Sequence, residues 1–304
     1  MKYESILHAI GNTPLVRVPF DAPAQVYAKL ESLNPSGSVK DRSAAYMIEQ
    51  AERSGKLKPG GTIIEASSGN QGIATALIGA IKGYNVIITV AEKVSTEKQQ
   101  TLTAYGAKIV VCKPTATLED PESYYEIARK IHEETPNSVF LAQYYNNDNP
   151  LGHYYSLGQE IWNQTAGTLT HFITGVGSGG TIGGVSRYLK ERNPKIKVIG
   201  VDTAHSYRAT GGNPKPYKIE GIGIDYTSPH IENAVIDEFF NVADEDSLNM
   251  TKALARKYGF LVGPASGATA YAVQQYAEKL SPNDLIVCIF GDSGRAYLTK
   301  HFYE

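Results

Sequence analysis

Lys40 lies in the run Asn34-Pro-Ser-Gly-Ser-Val-Lys-Asp-Arg42, where turn-forming residues precede a helical pattern. Most lysines are solvated surface charges. One placed among small hydroxyl residues in a turn has the makings of a nucleophile, and Schiff-base formation is the reaction such amines perform. Three small-residue loops accompany it, each running from an apolar strand-like stretch into a helix-like one. The first, SSGNQG (67–72), offers two hydroxyls, two amide side chains and backbone N–H groups at a helix start. That combination binds a carboxylate or phosphate, or simply makes a tight capped turn. The second, GVGSGGTIGG (175–184), has glycines that let the backbone approach an anion, with Ser178 and Thr181 as hydroxyl donors. The third, GPASGAT (263–269), reads as a helix start with proline in its first turn.

Two chemistries fit this set. Gly175-x-Gly177-x-x-Gly180 is a literal GxGxxG, and Asp202 ends the next strand about 20 residues on, as a nicotinamide-dinucleotide site requires. An NAD-dependent dehydrogenase using Gly175–Gly180 and Asp202 is therefore one reading. It leaves Lys40 and Asn70 idle. Pyridoxal phosphate uses both, because it needs a phosphate cradle, a Schiff-base lysine, and partners for its 3′ oxygen and its ring nitrogen.

The elements around these loops must hold them at one place. TIIEA (62–66), NVIITVA (85–91), KIVVC (108–112), SVFLAQ (138–143), THFITGVG (170–177), IKVIGVD (196–202), FLVG (260–263) and DLIVCIFGD (284–292) read as strands. Between them, 73–84, 95–107 and 181–193 read as helices, with Ser95 as an N-cap. Strand–helix–strand repetition predicts an α/β fold with parallel sheets covered by helices on both faces. The stretch 207–230 is rich in Gly and Pro and is predicted to be a functional or mobile loop, and 144–155 is predicted to be a domain crossing.

The 304 residues suffice for about two domains of ordinary size. With 29 basic and 31 acidic residues the net charge is -2, so neither nucleic acid nor a membrane surface is expected as a partner. Cys112 and Cys288 stand in apolar runs and read as buried thiols; neither a disulfide nor a metal site is expected. No signal-peptide core or membrane-length apolar run is present, and a cytoplasmic location is expected.

NPSGSVKDR, SSGNQG, GVGSGGT and EGIGIDY, in that order and spacing, resemble cysteine synthase and cystathionine β-synthase, which are fold-type-II pyridoxal-phosphate enzymes. The resemblance runs from IGNTPLVRV (10–18) to DSGRAYLTKHFY (292–303). It implies two open, mostly parallel twisted sheets with the cofactor in the cleft between them. Residues 1–40 and 150–304 would form the larger cofactor-binding domain, and 41–149 a smaller mobile domain that closes on substrate. It implies that Lys40 is the Schiff-base lysine and the base for the α-proton, that Asn70 bonds the 3′ oxygen, and that Gly177, Ser178, Gly179, Gly180 and Thr181 hold the phosphate. Ser67, Ser68, Gln71 and Gln143 would grip the substrate α-carboxylate, with Gly221 and Asp225 in a loop lining the site.

The implied activity is β-replacement. O-acetylserine, or serine, loses its β-substituent, and sulfide or a thiol adds to give cysteine or a thioether such as cystathionine. A cysteine-consuming, sulfide-releasing relative and a non-catalytic cofactor binder are the alternatives within the resemblance. It also implies a homodimer and allows a serine acetyltransferase tail as partner. Three features depart from the pattern. Gln71 stands where threonine is usual. GPASG replaces GISSG, which puts Ala265 at the residue facing the ring nitrogen and makes its neighbour Ser266 the expected partner. STEKQQTLTAYGA and GIGIDY lean toward the cystathionine-synthase branch, with Asp225 able to orient an incoming thiol amino acid. With the chain ending close behind the last motif, neither a tandem regulatory domain nor an N-terminal haem segment is expected.

Overall fold

The computed structural model describes residues 2–304 except 68, 93, 114 and 116. In chain order the elements are β1 (Leu15–Arg17), β2 (Gln25–Leu30), α1 (Lys40–Arg53), β3 (Thr62–Ala66), α2 (Asn70–Lys82), β4 (Asn85–Ala91), α3 (Thr96–Ala104), β5 (Lys108–Cys112), α4 (Tyr124–Glu134) and β6 (Ser138–Phe140). The second half contains α5 (Asp148–His153), α6 (Gln159–Gln164), β7 (His171–Gly175), α7 (Gly180–Arg192), β8 (Lys197–Thr203), α8 (Pro229–Glu232), β9 (Glu238–Val242), α9 (Asp244–Tyr258), α10 (Pro264–Ala277) and β10 (Leu285–Phe290).

The strands form two sheets. One has the order β1-β2-β10-β7-β8-β9 and the other β5-β4-β3-β6. Every pairing is parallel except that of β1 with β2 at the edge of the larger sheet. Parallel strands covered on both faces read as continuous apolar runs, as in LIVCIF of β10, buried along almost its whole length. One core of the larger sheet joins Ile173, Val201, Ile286 and Phe290 to Leu254, Ala270 and Val273 of α9 and α10. On the opposite face Phe172, Val198 and Val287 meet Ile182, Val185 and Leu189 of α7. The smaller sheet packs Ile63 against Ala44, Met47 and Ile48 of α1 and Ala74 and Ile78 of α2. Cys112 and Cys288 are free and buried.

Several boundaries differ from the sequence reading. FLVG makes no strand; Val262 forms only an isolated bridge with Ser293. The strand in SVFLAQ stops at Phe140, and Ala142 takes a positive φ that breaks the ladder. The stretch 144–155 carries α5, whose Gly152 lies against α1. The 207–230 region is irregular but anchored: Ile219 and Ile222 are buried, and Gly223 N–H donates to the Val176 carbonyl at 2.9 Å. Ser95 caps α3 as expected, accepting from the Lys98 N–H at 3.4 Å.

Behind the start of α1 lies a buried ionic network. Arg42 donates to Glu31 at 2.6 and 2.9 Å and to Glu160 at 2.7 and 2.9 Å. Lys29, fully buried, donates to Glu160 at 2.7 Å and to the Thr13 carbonyl at 2.5 Å. Burial pushes the Glu160 carboxyl up, but the bonds and charges of Arg42 and Lys29 outweigh it and hold the group at about 2. The network ties α1, and hence Lys40, to β2 and α6. Replacing Arg42 with Met strands two carboxylates in the interior, and should cost about 3–5 kcal/mol in urea unfolding. Because the folded Glu160 value is depressed, its stabilisation is fully present above its ordinary pKa near 4.5 and lost as pH falls toward 2. The acid limb of the wild-type stability curve should therefore be steeper than that of Arg42→Met.

Candidate active site

The Lys40 loop, the 67–72 loop, the 176–181 loop and the start of α10 meet at the carboxyl ends of β3, β7 and β10, the place where open α/β sheets bind ligands. Ser38 bridges to Asp292 just past β10, and Val39 N–H donates to the Gly291 carbonyl at 2.8 Å. This fixes Lys40, the first residue of α1, at the cleft, where its side chain is half-buried. Burial lowers the Lys40 amine to about 8, opposed by the negative fields of Glu65 and Asp292. A value this close to neutrality suits an amine that must act as nucleophile and base.

Glu65, on β3, was missed by motif reading. It is fully buried, and burial raises it to about 8, against the pull of the Gln143 backbone N–H, of Lys40 and of the Ala142 backbone N–H. Its place in a strand-like TIIEA run was its only trace in the sequence, since an acid at a position buried on both faces is exceptional.

α2 begins at Asn70, three residues earlier than the periodicity suggested, with Gly69 as an N-cap that supplies no side-chain bond. Its first-turn N–H groups lack intrahelical partners and are open to an anion. Ser67 is buried and accepts the Gly69 N–H at 3.2 Å; Ser68 lies outside the described residues. Asn70 is half-buried and donates through Nδ2 to Asp292 at 2.7 Å. Gln71 points inward: Oε1 accepts from Ser43 at 2.9 Å, and Nε2 is buried without a hydrogen-bond partner. That orphan donor is what a substrate oxygen would satisfy. Gln143 is buried, with its carbonyl held by Asn149 at 2.7 Å.

The second loop is a cradle. Gly179, with φ of 87°, caps α7. A Cβ on Gly177 would lie 2.8 Å from the Gly221 carbonyl, and one on Gly180 would collide with the Asn149 amide. Ser178 and Thr181 are buried; Asn149 donates to Ser178 Oγ at 3.2 Å, and the Asn149 Oδ1 is unpartnered. Bare amides at the start of a thirteen-residue helix, small residues and hydroxyls fit a phosphate. Gly221, with φ of 94°, sits over this loop and against Ala265. Asp225 is exposed and faces the Tyr217 hydroxyl, which burial and that carboxylate push up. Ala265 opens partly toward the cleft, whereas Ser266 is buried and accepts the Gly291 N–H at 3.0 Å. Its hydroxyl proton remains to be donated.

Asp202 is not available to a ribose. Its carboxylate accepts from Ser206 at 2.7 Å, Arg208 at 2.8 Å and its neighbour's N–H at 2.8 Å, and the residue is 4% exposed. Among the described residues no three His, Cys, Asp or Glu side chains are grouped to hold a metal.

A half-buried lysine with a lowered pKa beside a glycine-rich helix start is an arrangement that can hold pyridoxal phosphate. Residues 6–292 match the family described as pyridoxal-phosphate dependent enzyme. The chain belongs to that family and uses pyridoxal phosphate, which overturns the dehydrogenase reading. It is 42% identical to cystathionine beta-synthase of Apis mellifera over 98% of this chain and 61% of the relative, so it spans about three fifths of that protein. It is 41% identical to the O-acetylserine dependent cystathionine beta-synthase of Bacillus subtilis over 98% of this chain and 97% of the relative. The crystal structure of the O-acetylserine dependent cystathionine beta-synthase from Helicobacter pylori superposes with a TM-score of 0.94 at 40% identity, covering both chains fully.

The Glu65 carboxyl titrates higher in the folded protein than unfolded. Its stabilising share is present below its ordinary pKa near 4.5 and lost as pH rises through about 8. In the cofactor-free protein Glu65→Gln should flatten the fall in stability between these pH values. It should also lower the Lys40 pKa further, read as faster amine modification around and above pH 8, where Glu65 is ionised. An unchanged slope and rate would separate Glu65 from Lys40.

Proposed function

We propose that the protein catalyses β-replacement on an amino acid, displacing the acetate of O-acetylserine with sulfide or a thiol to form cysteine or a thioether such as cystathionine. The observation that supports it most directly is Lys40, a half-buried amine lowered to about 8 between an anion-binding helix start and a phosphate cradle. Its relatives of nearly full matching length act on O-acetylserine by name.

Lys40 Nζ would hold the cofactor, with Gly177, Ser178, Gly179, Gly180 and Thr181 on its phosphate, Asn70 on its ring oxygen and Ser266 as the partner of its ring nitrogen. Pyridoxal phosphate, when bound, supplies an electron sink for negative charge at the substrate α-carbon. The residues of this chain do the rest. Ser67, Ser68, Gln71 and Gln143 bind the α-carboxylate, with the Gln71 Nε2 gaining the partner it lacks. The Lys40 amine would remove the α-proton as general base. The acetate then leaves from the β-carbon, the thiol sulfur bonds there, and Lys40 returns the proton to the α-carbon. Asp225, exposed at the rim, orients the amino group of an incoming thiol amino acid. Residues 41–149 form the closing unit; Lys98 of α3 already bonds Glu220 beside the 221–225 loop at 2.5 Å. The same reading assigns the chain to the cytoplasm, as a homodimer, with a serine acetyltransferase tail as a further partner. No helix among the described residues is long and apolar enough to cross a membrane.

The test is the visible spectrum of the holoprotein on adding O-acetylserine, then sulfide or a thiol amino acid. The substrate should shift the band and the nucleophile should restore it with product formed. Lys40→Ala should lower turnover about 10²-fold or more. A band that ignores O-acetylserine and answers to cysteine with release of sulfide would transfer the assignment to the sulfide-producing activity.

A further inference from the structure

Asp292 lies just past β10, outside the three loops that carry the site motifs, yet it touches the Lys40 loop, the start of α2 and the start of α10. Its backbone bridges to Ser38, two residues before Lys40. Its carbonyl accepts the N–H of Gly263, the N-cap of α10, at 3.3 Å. Its carboxylate Oδ2 accepts Asn70 Nδ2 at 2.7 Å and the Tyr297 hydroxyl at 2.5 Å. Asp292 is 4% exposed and Tyr297 1%, so water competes for neither bond.

An asparagine amide turns over with almost no change of shape, and its hydrogen bonds decide which end faces a ligand. Oδ2 already accepts the Tyr297 hydroxyl, so it meets Asn70 as an acceptor. Asp292 therefore holds the Asn70 nitrogen on its own side and fixes the amide plane, leaving the second Nδ2 hydrogen for the cleft. Tyr297 grips the same oxygen and keeps the carboxylate from rotating. The other oxygen, Oδ1, is buried without a hydrogen-bond partner against Gly263, where any side chain would collide with it. A buried carboxylate with one unpartnered oxygen is costly; in this position it makes a hydrogen bond between the two sheets' elements, 222 residues apart in sequence.

We infer that Asp292, clamped by Tyr297, is the positioning residue that orients the Asn70 amide toward the ring oxygen of pyridoxal phosphate. The inference rests on the cofactor site described above. It acts through Asn70, so its effect must vanish when the Asn70 amide is gone.

The experiment is a double-mutant cycle on cofactor affinity, titrating pyridoxal phosphate into cofactor-free protein and following the visible band. Asp292→Asn should weaken binding about tenfold and shift the pH at which the band titrates. In the Asn70→Ala background the same substitution should change affinity less than twofold. Tyr297→Phe, a milder change, should reproduce the dependence on Asn70 at smaller amplitude and covers the case in which Asp292→Asn does not fold. Equal weakening in both backgrounds would overturn the inference, as would wild-type affinity in Asp292→Asn. A wild type that takes up no pyridoxal phosphate would instead remove the cofactor site itself, and the inference with it.

Discussion

The structure turns on keeping one amine, Lys40, in a cleft where its charge is costly. Burial alone drives the ammonium toward its neutral form, and two buried acids on opposite sides of the cleft, Glu65 and Asp292, pull it back. The outcome is an amine near neutrality, poised to lose a proton and to take one. Neither acid could do this from the surface, where water would screen its field. Their burial depends on two parallel sheets whose strands are covered on both faces, with the acids at the carboxyl ends of β3 and β10.

The same constraint explains why Lys40 opens a helix anchored from behind. The Arg42 guanidinium, two residues on, is locked between Glu31 and Glu160, with Lys29 completing the group. These four charges cancel in the interior and are almost fully paired. Moving α1 would expose several of them together, so the lysine is held by interactions that do not enter the cleft. On the other side, the 67–72 loop, the 176–181 loop and the start of α10 present backbone amides rather than charges. An anion bound there is stabilised without a cation that would compete with Lys40 for its place.

Much of this was legible in the sequence. The apolar runs of parallel strands and the small-residue loops after them located the βα junctions, and a lysine among small hydroxyl residues pointed to the amine that the structure places in the cleft with a lowered pKa. The GxGxxG reading failed for a physical reason: the spacing to Asp202 was right, but Ser206 and Arg208, local in sequence, consume its carboxylate. β1 went unread because a three-residue edge strand carries little periodicity, β2 because QVYAKL mixes a buried lysine into its apolar positions, and α2 was started late because Asn70 and Gln71 look like loop residues. Asp292 and Tyr297 carry no local signal, and Glu65 carries only its place in an apolar strand-like run. What makes them matter is a neighbour contributed by a distant part of the chain, as Asn70 is for Asp292, and single-sequence patterning does not report such contacts.

The central claim is that Lys40 is the amine that carries the cofactor. Reducing the pyridoxal-phosphate-loaded protein with borohydride converts the lysine linkage to a stable secondary amine, which peptide mass spectrometry can then place. The account predicts one pyridoxyl group per chain, on Lys40, in the peptide containing SGSVK. A label on another lysine, such as Lys98, buried near Gly69, or no label on a protein that binds the cofactor, would contradict it.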